Sequence, residues 1–392
     1  MKRIFRCFVL PALLVLLISA PGYSKDGTHY ILFVGTYTKG ESKGIYAYHY
    51  DSASGQLTSL GLAAETVNPS FLTVDPSRRF LYAVNEVQDY KGEAGGAVTA
   101  FAIDRKSGKL SRLNEAASRG ADPCYIALDK TGKYILVANY TGGNVAVLPV
   151  LPNGRVGDAS SVMKDAGALG PNRERQEAPH AHWIEVSARN RFAYVADLGL
   201  DRVLIYKFDA ATGTLASGGS GPATEDFFSA TLSPGTGPRH VAFSADGNSM
   251  YVLGELDSTV TVFANDARET FRSVQKISAL PAGFSGRNDA AEIAIHPSGK
   301  FLYTSNRGHD SIAVFSVEKS TGRLSLVGNV STQGRAPRNF AIDPAGSHLL
   351  VANQDSDNIV VFSIDPATGG LKPTGQIAKV GSPVCLVFMA ED

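Results

Sequence analysis

A single strand pattern recurs along most of this chain, and it constrains the fold more than any other feature. Each copy is an apolar run, rich in aromatic and β-branched residues, that closes with Asn, Asp or Gly. The copies are YILFVGT (30–36), FLYAVNE (80–86), YILVANY (134–140), FAYVADL (192–198), MYVLGEL (250–256), FLYTSNR (301–307) and LLVANQ (349–354). Such residues favour β-strands. Sevenfold repetition of one strand is typical of a propeller or a solenoid.

Further strands surround each copy. A strand of alternating pattern follows it, as in RVLIYKFD (202–209) and NIVVFSID (358–365), and often runs into a turn such as SGKL or TGTL. A short strand precedes most copies and usually begins at proline, as in PRHVAFS (238–244). Four strands per repeat predict an all-β fold, a seven-bladed β-propeller. The last strand, PVCLVFM (383–389), is predicted to complete the N-terminal blade and close the ring, which removes exposed sheet edges.

The first 24 residues, MKRIFRCFVLPALLVLLISAPGYS, differ from the rest. A basic start, an apolar stretch near residues 7–19 and small residues beyond it are the layout of a secretory signal peptide. A membrane anchor is the alternative, but the apolar stretch is shorter than the roughly 20 residues that a spanning helix needs. We expect residues 1–24 to be a signal peptide, cut between Ala20 and Ser24. Residues 25–392 would then be an exported propeller, periplasmic or secreted, without stable membrane association.

Charge and cysteine content indicate which classes of binding partner and which cysteine chemistry to expect. The 37 basic and 37 acidic residues give a formal net charge of zero, and basic residues are not clustered, which argues against nucleic-acid binding. Small molecules are the expected partners. Of the three cysteines, Cys7 lies in the leader, so Cys124 and Cys385 remain. Two cysteines do not make a disulfide framework, and we expect free, buried thiols.

Propeller geometry places two sets of positions around one mouth of the central channel. The entrance of each innermost strand and the exit of the second strand lie at the same end of an antiparallel blade. The entrances read Ser70, Cys124, His182, Arg239, Ala291, Arg338 and Val384, followed by Phe71, Tyr125, Trp183, His240, Glu292, Asn339 and Cys385. The exits read Gly35, Asn85, Asn139, Asp197, Gly254, Asn306 and Asn353, followed by Thr36, Glu86, Tyr140, Leu198, Glu255, Arg307 and Gln354.

The columns differ in character. The Asn/Asp/Gly column is nearly constant, which favours a structural role in the turn that leaves the strand. The other columns vary and hold charged residues in the fourth to seventh blades: His182, Arg239, His240, Glu255, Glu292, Arg307 and Arg338. Such a cluster is typical of a functional site. The alternative is a network of ion pairs that only satisfies polar groups around a wet channel.

The APHAHWIEV stretch (178–186) carries two histidines. The alignment puts His182 in the column of Arg239 and predicts that it faces the channel. His180 lies in an insertion above the mouth, and whether it lines the rim stays open. Trp183 is expected to pack between blades. Two imidazoles are fewer ligands than a metal site needs, so no cofactor is expected. Alternate residues of a strand share a face, however, so a metal site that includes both histidines stays open as an alternative.

The residue types favour acid/base chemistry. Converging arginines bind a carboxylate or phosphate, or stabilise an oxyanion. A carboxylate and a histidine beside them can transfer protons. No G-x-S-x-G motif is present, and no cysteine has a clear base partner, so a covalent nucleophile is not indicated.

Several stretches resemble the seven-bladed propeller lactonase family, which includes bacterial 6-phosphogluconolactonases and fungal carboxymuconate lactonizing enzymes. They are HPSGKFLYTSNRGHDSIAVFSVEKSTGRLSLVGNV, APHAHWIEV, GPRHVAFS, GELDSTVTVF and GRAPRNFAIDPAGSHLLVANQDSDNIVVFSID, and the similarity covers nearly everything after the leader. In the lactonizing enzymes a His, two Arg and a Glu at this mouth are implicated in catalysis. By position these match His182, Arg239, Glu255 and Arg307.

The resemblance implies hydrolysis of a sugar lactone, either 6-phosphogluconolactone or an unphosphorylated aldonolactone. Glu255 or His182 would activate water, while Arg239 and Arg307 hold an anionic group and the oxyanion. Further substrate-binding residues are expected to be His180, His240, Glu292, Arg338, Asn306, Gln354 and Glu86. Because phosphorylated sugars are scarce outside the cell, the export signal makes an unphosphorylated lactone at least as good a candidate.

Other functions stay open at this point. The same mouth suits a non-catalytic exported propeller that binds an anionic small molecule or a protein. It also suits a muconate-type cycloisomerase. A calcium-dependent lactonase of the six-bladed type is disfavoured by the seven repeats.

Overall fold

The computed structural model describes residues 29–217, 229–265 and 271–391. Seven antiparallel sheets follow one another along these residues, and the innermost strands of neighbouring sheets contact one another all the way round. The prediction of an all-β, seven-bladed propeller is therefore confirmed.

The first three blades hold the strands of the N-terminal part of the chain. They are β1 (His29–Thr36), β2 (Gly44–Asp51) and β3 (Gln56–Glu65) in blade 1; β4 (Leu72–Val74), β5 (Phe80–Asn85), a small hairpin of β6 (Asp89–Tyr90) and β7 (Glu93–Ala94), β8 (Ala97–Ile103) and β9 (Leu110–Ala117) in blade 2; and β10 (Pro123–Leu128), β11 (Tyr134–Asn139), β12 (Asn144–Pro149) and β13 (Ser161–Lys164) in blade 3.

The remaining blades follow the same order. They are β14 (Ala181–Val186), β15 (Phe192–Asp197), β16 (Arg202–Asp209), β17 (Thr214–Ser217) and β18 (Ser229–Thr231) in blade 4; β19 (Pro238–Phe243), β20 (Ser249–Gly254), β21 (Thr259–Asn265) and β22 (Phe271–Ser278) in blade 5; β23 (Asp289–Ile295), β24 (Phe301–Arg307), β25 (Ser311–Val317) and β26 (Leu324–Ser331) in blade 6; and β27 (Pro337–Ile342), β28 (His348–Asn353), a 3₁₀ turn (Gln354–Ser356), β29 (Asn358–Ile364) and β30 (Leu371–Lys379) in blade 7, before β31 (Pro383–Ala390).

The C-terminal strand closes the ring. β31 pairs antiparallel with β1, from Tyr30 opposite Ala390 to Gly35 opposite Cys385, and so becomes the innermost strand of blade 1. This is the closure that the sequence predicts. Blade 1 thus joins the two ends of the described chain, and β31 is not left as a lone strand.

The apolar core lies between blades, because alternate residues of a strand face opposite sides of its sheet. In β1, Leu32 and Val34 pack with Leu350 of blade 7, whereas Ile31 and Phe33 pack with blade 2. Both faces of each second strand are buried in this way, which explains why these strands read as continuous apolar runs. The blades are thereby held at fixed positions around the channel.

The same hydrogen-bonded turn recurs between the first two strands of several blades. Oδ1 of Asp129, just after β10, accepts hydrogen bonds from the backbone N–H groups of Lys133 and Tyr134, at 2.8 and 2.9 Å. Asp343 in blade 7 makes the equivalent bonds to the backbone of Ser347 and His348. A carboxylate that satisfies two backbone donors stabilises a tight turn and fixes the register of the hairpin.

The predicted leader, residues 1–24, lies outside the described residues. Among those that are described, no helix has both the length and the apolar character to cross a membrane. Cys124 and Cys385 are free and buried, as the sequence predicts.

Candidate active site

The entrances of the innermost strands are β-bulges. The pairing of β10, β14, β19 and β27 with the second strand skips one residue directly after the first. The skipped residues are Cys124, His182, Arg239 and Arg338. A bulge leaves one residue outside the ladder and redirects its side chain. The column that the sequence alignment identifies is therefore a column of bulged residues around one mouth of the channel.

Glu255 is the centre of the site. It follows β20, is 4% exposed, and its Oε2 lies 3.0 Å from Nε of Arg239 and 3.2 Å from Nη2 of Arg307. Its Oε1 accepts a 2.5 Å hydrogen bond from Nη2 of Arg175. Burial by itself raises the pKa of Glu255, but Arg307, Arg239 and Arg175 outweigh it and lower that pKa to about 2. Glu255 is therefore ionised at neutral pH.

Arg175 is a site residue that the sequence reasoning missed. It lies in the connection between β13 and β14, where the side chain of Asn172 accepts a hydrogen bond from its backbone N–H. Besides Glu255, its guanidinium contacts the hydroxyl of Tyr140 at 3.3 Å and Oδ1 of Asp289 at 3.6 Å. The unusual length of this connection and its RER sequence, just ahead of the two histidines, are the signals that point to it.

His182 lies next to this carboxylate. Its Nε2 is 3.9 Å from Oε2 of Glu255, and its Nδ1 is 3.7 Å from Sγ of Cys124. Burial, followed by the positive charge of Arg239 and then His240, lowers the pKa of His182 well below its usual value. The imidazole is therefore neutral at pH 7, with one nitrogen free to accept a proton.

His180 has a different environment. Its Nδ1 lies 3.0 Å from the carbonyl oxygen of Tyr140 and its Nε2 lies 3.0 Å from Oε1 of Glu177, while its ring stacks on the ring of Tyr140. It thus supports Tyr140, which in turn contacts Arg175. Of the two histidines, His182 is the one that lies beside Glu255.

His240 and Glu292 form a second buried pair. Nδ1 of His240 lies 2.8 Å from Oε1 of Glu292, and the amide of Asn339 donates to Oε2 of the same carboxylate. The His240 ring also packs edge-on against His182, with 5.3 Å between centroids. Nη1 of Arg239 lies 3.2 Å from Nε2 of His240 and also donates to the carbonyl of Ala291. These contacts tie the pair to the Glu255 cluster.

The arginines differ in accessibility. The side chain of Arg239 is 3% exposed, whereas those of Arg307 and Arg175 are 17% and 30% exposed. Burial, together with Arg307 and Arg338, lowers the pKa of Arg239 to about 10, so it stays charged at neutral pH. Arg307 also donates to the carbonyl of Asp289 at 3.1 Å. Arg175 and Arg307 are therefore the cations that a ligand at the mouth would meet.

Other predicted residues lie apart from the Glu255 cluster. The buried amide of Asn306 donates to the carbonyl of Ala279 at 2.9 Å, and Asn139 and Asn353 of the same column donate to the carbonyls of Ser118 and Thr332, in line with the predicted structural role. The amide of Gln354 donates to Asp355. Glu86 and Arg338 lie on the opposite side of the channel, near Tyr37. Trp183 is buried among Tyr125 and Phe243, as expected of a packing residue.

Comparison with known proteins supports the propeller architecture. Residues 31–388 match the family model described as Lactonase, 7-bladed beta-propeller. The chain is 37% identical over 314 residues to the 6-phosphogluconolactonase of Bacillus subtilis, which covers 80% of this chain and 85% of that protein. It is 35% identical over 315 residues to the 6-phosphogluconolactonase of Formosa agariphila, covering 79% and 85%.

A solved structure shows the same architecture. The periplasmic gluconolactonase of Pseudomonas aeruginosa is 36% identical, with a TM-score of 0.85 over 93% of this chain and 100% of that one. Family model, relatives and structure agree along nearly the whole described chain. The protein belongs to the seven-bladed β-propeller lactonase family.

Proposed function

We propose that this protein hydrolyses a sugar lactone to the open-chain acid by general acid/base catalysis at the channel mouth. The observation that carries the proposal is the arrangement around Glu255: three guanidinium groups surround a buried carboxylate, and a neutral imidazole lies 3.9 Å from it. The names of the relatives, 6-phosphogluconolactonase and periplasmic gluconolactonase, support the same reaction.

His182 is the better base of the two candidates. Glu255 is ionised, but both of its oxygens are directed at arginines, and its pKa of about 2 makes it a weak proton acceptor. His182 is neutral and keeps an unprotonated nitrogen. Nε2 of His182 faces Glu255, and Nδ1 faces the thiol of Cys124. The carboxylate of Glu255 lies next to the imidazolium formed by proton uptake and opposes the positive charge of nearby Arg239.

The reaction follows from these positions. Water attacks the lactone carbonyl carbon as His182 takes its proton, and the carbonyl oxygen becomes an oxyanion. When the intermediate collapses, the bond between the carbonyl carbon and the ring oxygen breaks, and His182 returns the proton to that oxygen as it leaves as a hydroxyl group. The product is the hydroxy acid, which loses its acidic proton to solvent.

The exposed arginines suit the oxyanion. Arg307 and Arg175 present N–H groups at the mouth, and charge that develops there is stabilised by donors already held in place. Arg239 is buried and held by the carbonyl of Ala291, so its role is to position Glu255. His240 and Glu292 support Arg239 from below.

Export is part of the proposal. The basic and apolar character of residues 1–24 and the printed name of the periplasmic neighbour support a protein that acts outside the cytoplasm. Mass spectrometry of the protein from an extracytoplasmic fraction tests this. A mature N-terminus between residues 21 and 25 is expected, and an intact Met1 in the cytoplasm would contradict it.

A direct assay tests the activity. Protein spanning residues 25–392 is incubated with gluconolactone, 6-phosphogluconolactone and δ-valerolactone, and acid release is compared with spontaneous hydrolysis. The His182→Asn variant serves as the inactive comparison, and Arg173→Met, at an exposed neighbour of Arg175, as the active one. Rates equal to background with every lactone would instead favour a ligand-binding propeller.

A further inference from the structure

A second polar cluster faces the channel opposite Glu255. Ser70, Glu86 and Arg338 line one small cavity at the entrance of the channel, together with Cys124 and Arg239. We call Ser70, Glu86 and Arg338 the distal cluster. Arg239 belongs to both sides, since it lines this cavity and also pairs with Glu255. Arg239 therefore lies between this cavity and the carboxylate of Glu255.

Polar atoms of the distal cluster lack partners in the part of the chain that the structure describes. Ser70 is only 3% exposed, yet its hydroxyl has no hydrogen-bond partner there. The same holds for Oε2 of Glu86. The guanidinium of Arg338 lies over the ring of Tyr37, 5.2 Å from its centroid, and has no carboxylate within 4 Å among the described residues. Buried polar groups are normally satisfied, so two unsatisfied atoms around a single cavity, next to the Arg338 guanidinium, point to a ligand.

Tyr37 fixes the direction of the Glu86 carboxylate. Its hydroxyl donates to Oε1 of Glu86 at 2.9 Å, and its own backbone N–H donates to the carbonyl of Ser382. Burial, with Glu86 nearby, raises the pKa of Tyr37, so the phenol stays protonated and acts as a donor. With Oε1 occupied, Oε2 is the oxygen left for a ligand.

The donors and acceptors match an alcohol. A hydroxyl group can donate to Oε2 of Glu86 and accept from the guanidinium of Arg338, and the Ser70 hydroxyl can do either. The cavity measures about 10 Å³, enough for one water or one hydroxyl. A phosphate is too large for a cavity of this volume.

We propose that Ser70, Glu86 and Arg338 form a subsite that binds a hydroxyl group of the substrate and selects unphosphorylated polyhydroxy lactones over phosphorylated ones. The inference rests on the proposed lactonase function and names its substrate class. The lactone carbonyl then lies on the Glu255 side of the mouth, and the hydroxylated end lies on the side of blades 7, 1 and 2.

Two variants remove the subsite's hydrogen bonds while keeping its shape. Ser70→Ala deletes a hydroxyl that bonds nothing in the described protein, so the thermal midpoint is expected to stay the same. Glu86→Gln can still accept from Tyr37 but presents an NH₂ group to the cavity. Because the lost contacts act on substrate binding, KM for gluconolactone is expected to rise roughly tenfold or more while kcat changes little. KM for δ-valerolactone, which has no hydroxyl, is expected to stay unchanged.

The phosphorylated substrate gives an independent readout. Glu86→Gln is expected to reduce the preference for gluconolactone over 6-phosphogluconolactone, in kcat/KM, by about tenfold, since the carboxylate oxygen that accepts from the hydroxyl of the unphosphorylated lactone is gone. Thr261→Val is the control, because Thr261 in β21 also has a buried hydroxyl without a described partner but does not line the cavity. An equal change for both unphosphorylated lactones, or no change in KM, would overturn the subsite.

Failure of the lactonase function would be recognised separately. If the wild-type protein hydrolyses no lactone above background, binding of glucitol is measured by calorimetry. Glucitol binding that weakens in both Ser70→Ala and Glu86→Gln, but not in Thr261→Val, supports the subsite without the reaction. Absence of binding, or equal binding by all variants, overturns it.

Discussion

The guanidinium of Arg175 donates to Oε1 of Glu255 from 80 residues away in sequence, and it completes a set of three arginines around that carboxylate. Arg239 and Arg307 come from the inner and second strands of blades 5 and 6, whereas Arg175 comes from an irregular connection. The site is therefore built partly on the rigid blades and partly on a segment that lies across them.

The Arg175→Met variant is expected to lower kcat/KM by about a hundredfold, because it removes a donor from the proposed oxyanion site. Little change in thermal midpoint is expected, since the side chain is 30% exposed. Steady-state kinetics with gluconolactone measures the effect. Arg173→Met removes the same charge two residues away and should retain wild-type rates. Equal activity of both variants would remove Arg175 from the mechanism.

Glu255→Gln is expected to reduce activity by about a hundredfold and to destabilise the fold. The substitution leaves three arginines without their shared counter-charge, one of them buried, and breaking a buried ion pair costs about 3 kcal/mol or more. Urea unfolding gives the free energy of unfolding.

Asp257→Asn is the matched control for stability. Asp257 lies two residues further along and pairs with Lys276 at 2.8 Å, but both side chains are a quarter or more exposed. A partly exposed pair contributes about 1 kcal/mol or less. A loss in Glu255→Gln no larger than in Asp257→Asn would contradict the central position of Glu255.

Stability is expected to depend on pH through His182. Burial and Arg239 lower the pKa of His182 in the folded state. Its contribution to the free energy of unfolding is therefore present above the pKa of about 6.5 in the unfolded chain, and it is lost as the pH falls. Between about pH 7.5 and pH 5.5 this costs about 1 kcal/mol, because the unfolded chain binds a proton that the folded chain does not. Urea unfolding of the wild type and His182→Asn at both pH values isolates the contribution. Parallel losses in the two proteins would contradict it.

The same shift sets the acid limit of activity. Since His182 remains unprotonated well below pH 6.5, kcat/KM for gluconolactone is expected to persist on the acid side of that value. Rates corrected for spontaneous hydrolysis provide the profile. Loss of activity centred at or above pH 6.5 would point to another base.

Asp165 and Asp197 form a buried pair of acids in blades 3 and 4. Tyr206 donates to Oδ1 of Asp165 at 2.6 Å, and burial together with the carboxylate of Asp197 raises the pKa of Asp165 well above its usual range. A raised pKa contributes stability at low pH that is lost as the pH rises through the folded value. Asp165→Asn mimics the protonated acid, so its advantage over the wild type in free energy of unfolding is expected to be larger near pH 9 than near pH 5, by about 2 kcal/mol.

Chemical denaturation at the two pH values measures this difference. The exposed Asp158, changed to Asn, is the control and should shift stability little at either pH. A gain that is the same at pH 5 and pH 9 would show that the two acids do not share a proton.

Much of the fold and part of the site could be predicted from local patterns. Strand alternation and the proline at most inner strands are repeated features, so each blade supports the interpretation of the others. Alignment alone grouped His182, Arg239 and Arg338, which the structure shows to be equivalent bulged residues. Asn306 shows the limit of such an alignment. The alignment gives the position of a residue along a strand, but it does not show which group the side-chain amide contacts.

The sequence by itself determined the seven blades, the closure by β31 and the mouth at which His182, Arg239, Glu255 and Arg307 meet. These features follow from a repeated strand pattern in which apolar and polar residues alternate. Only the tertiary structure decided that Arg175 joins them and that Tyr37 orients Glu86, and it supports the proposal that His182 rather than Glu255 accepts the proton. The physical reason is that an irregular connection has no repeating sequence pattern from which the position of its side chains could be predicted. Protonation depends on distances and burial between residues that are far apart in the chain.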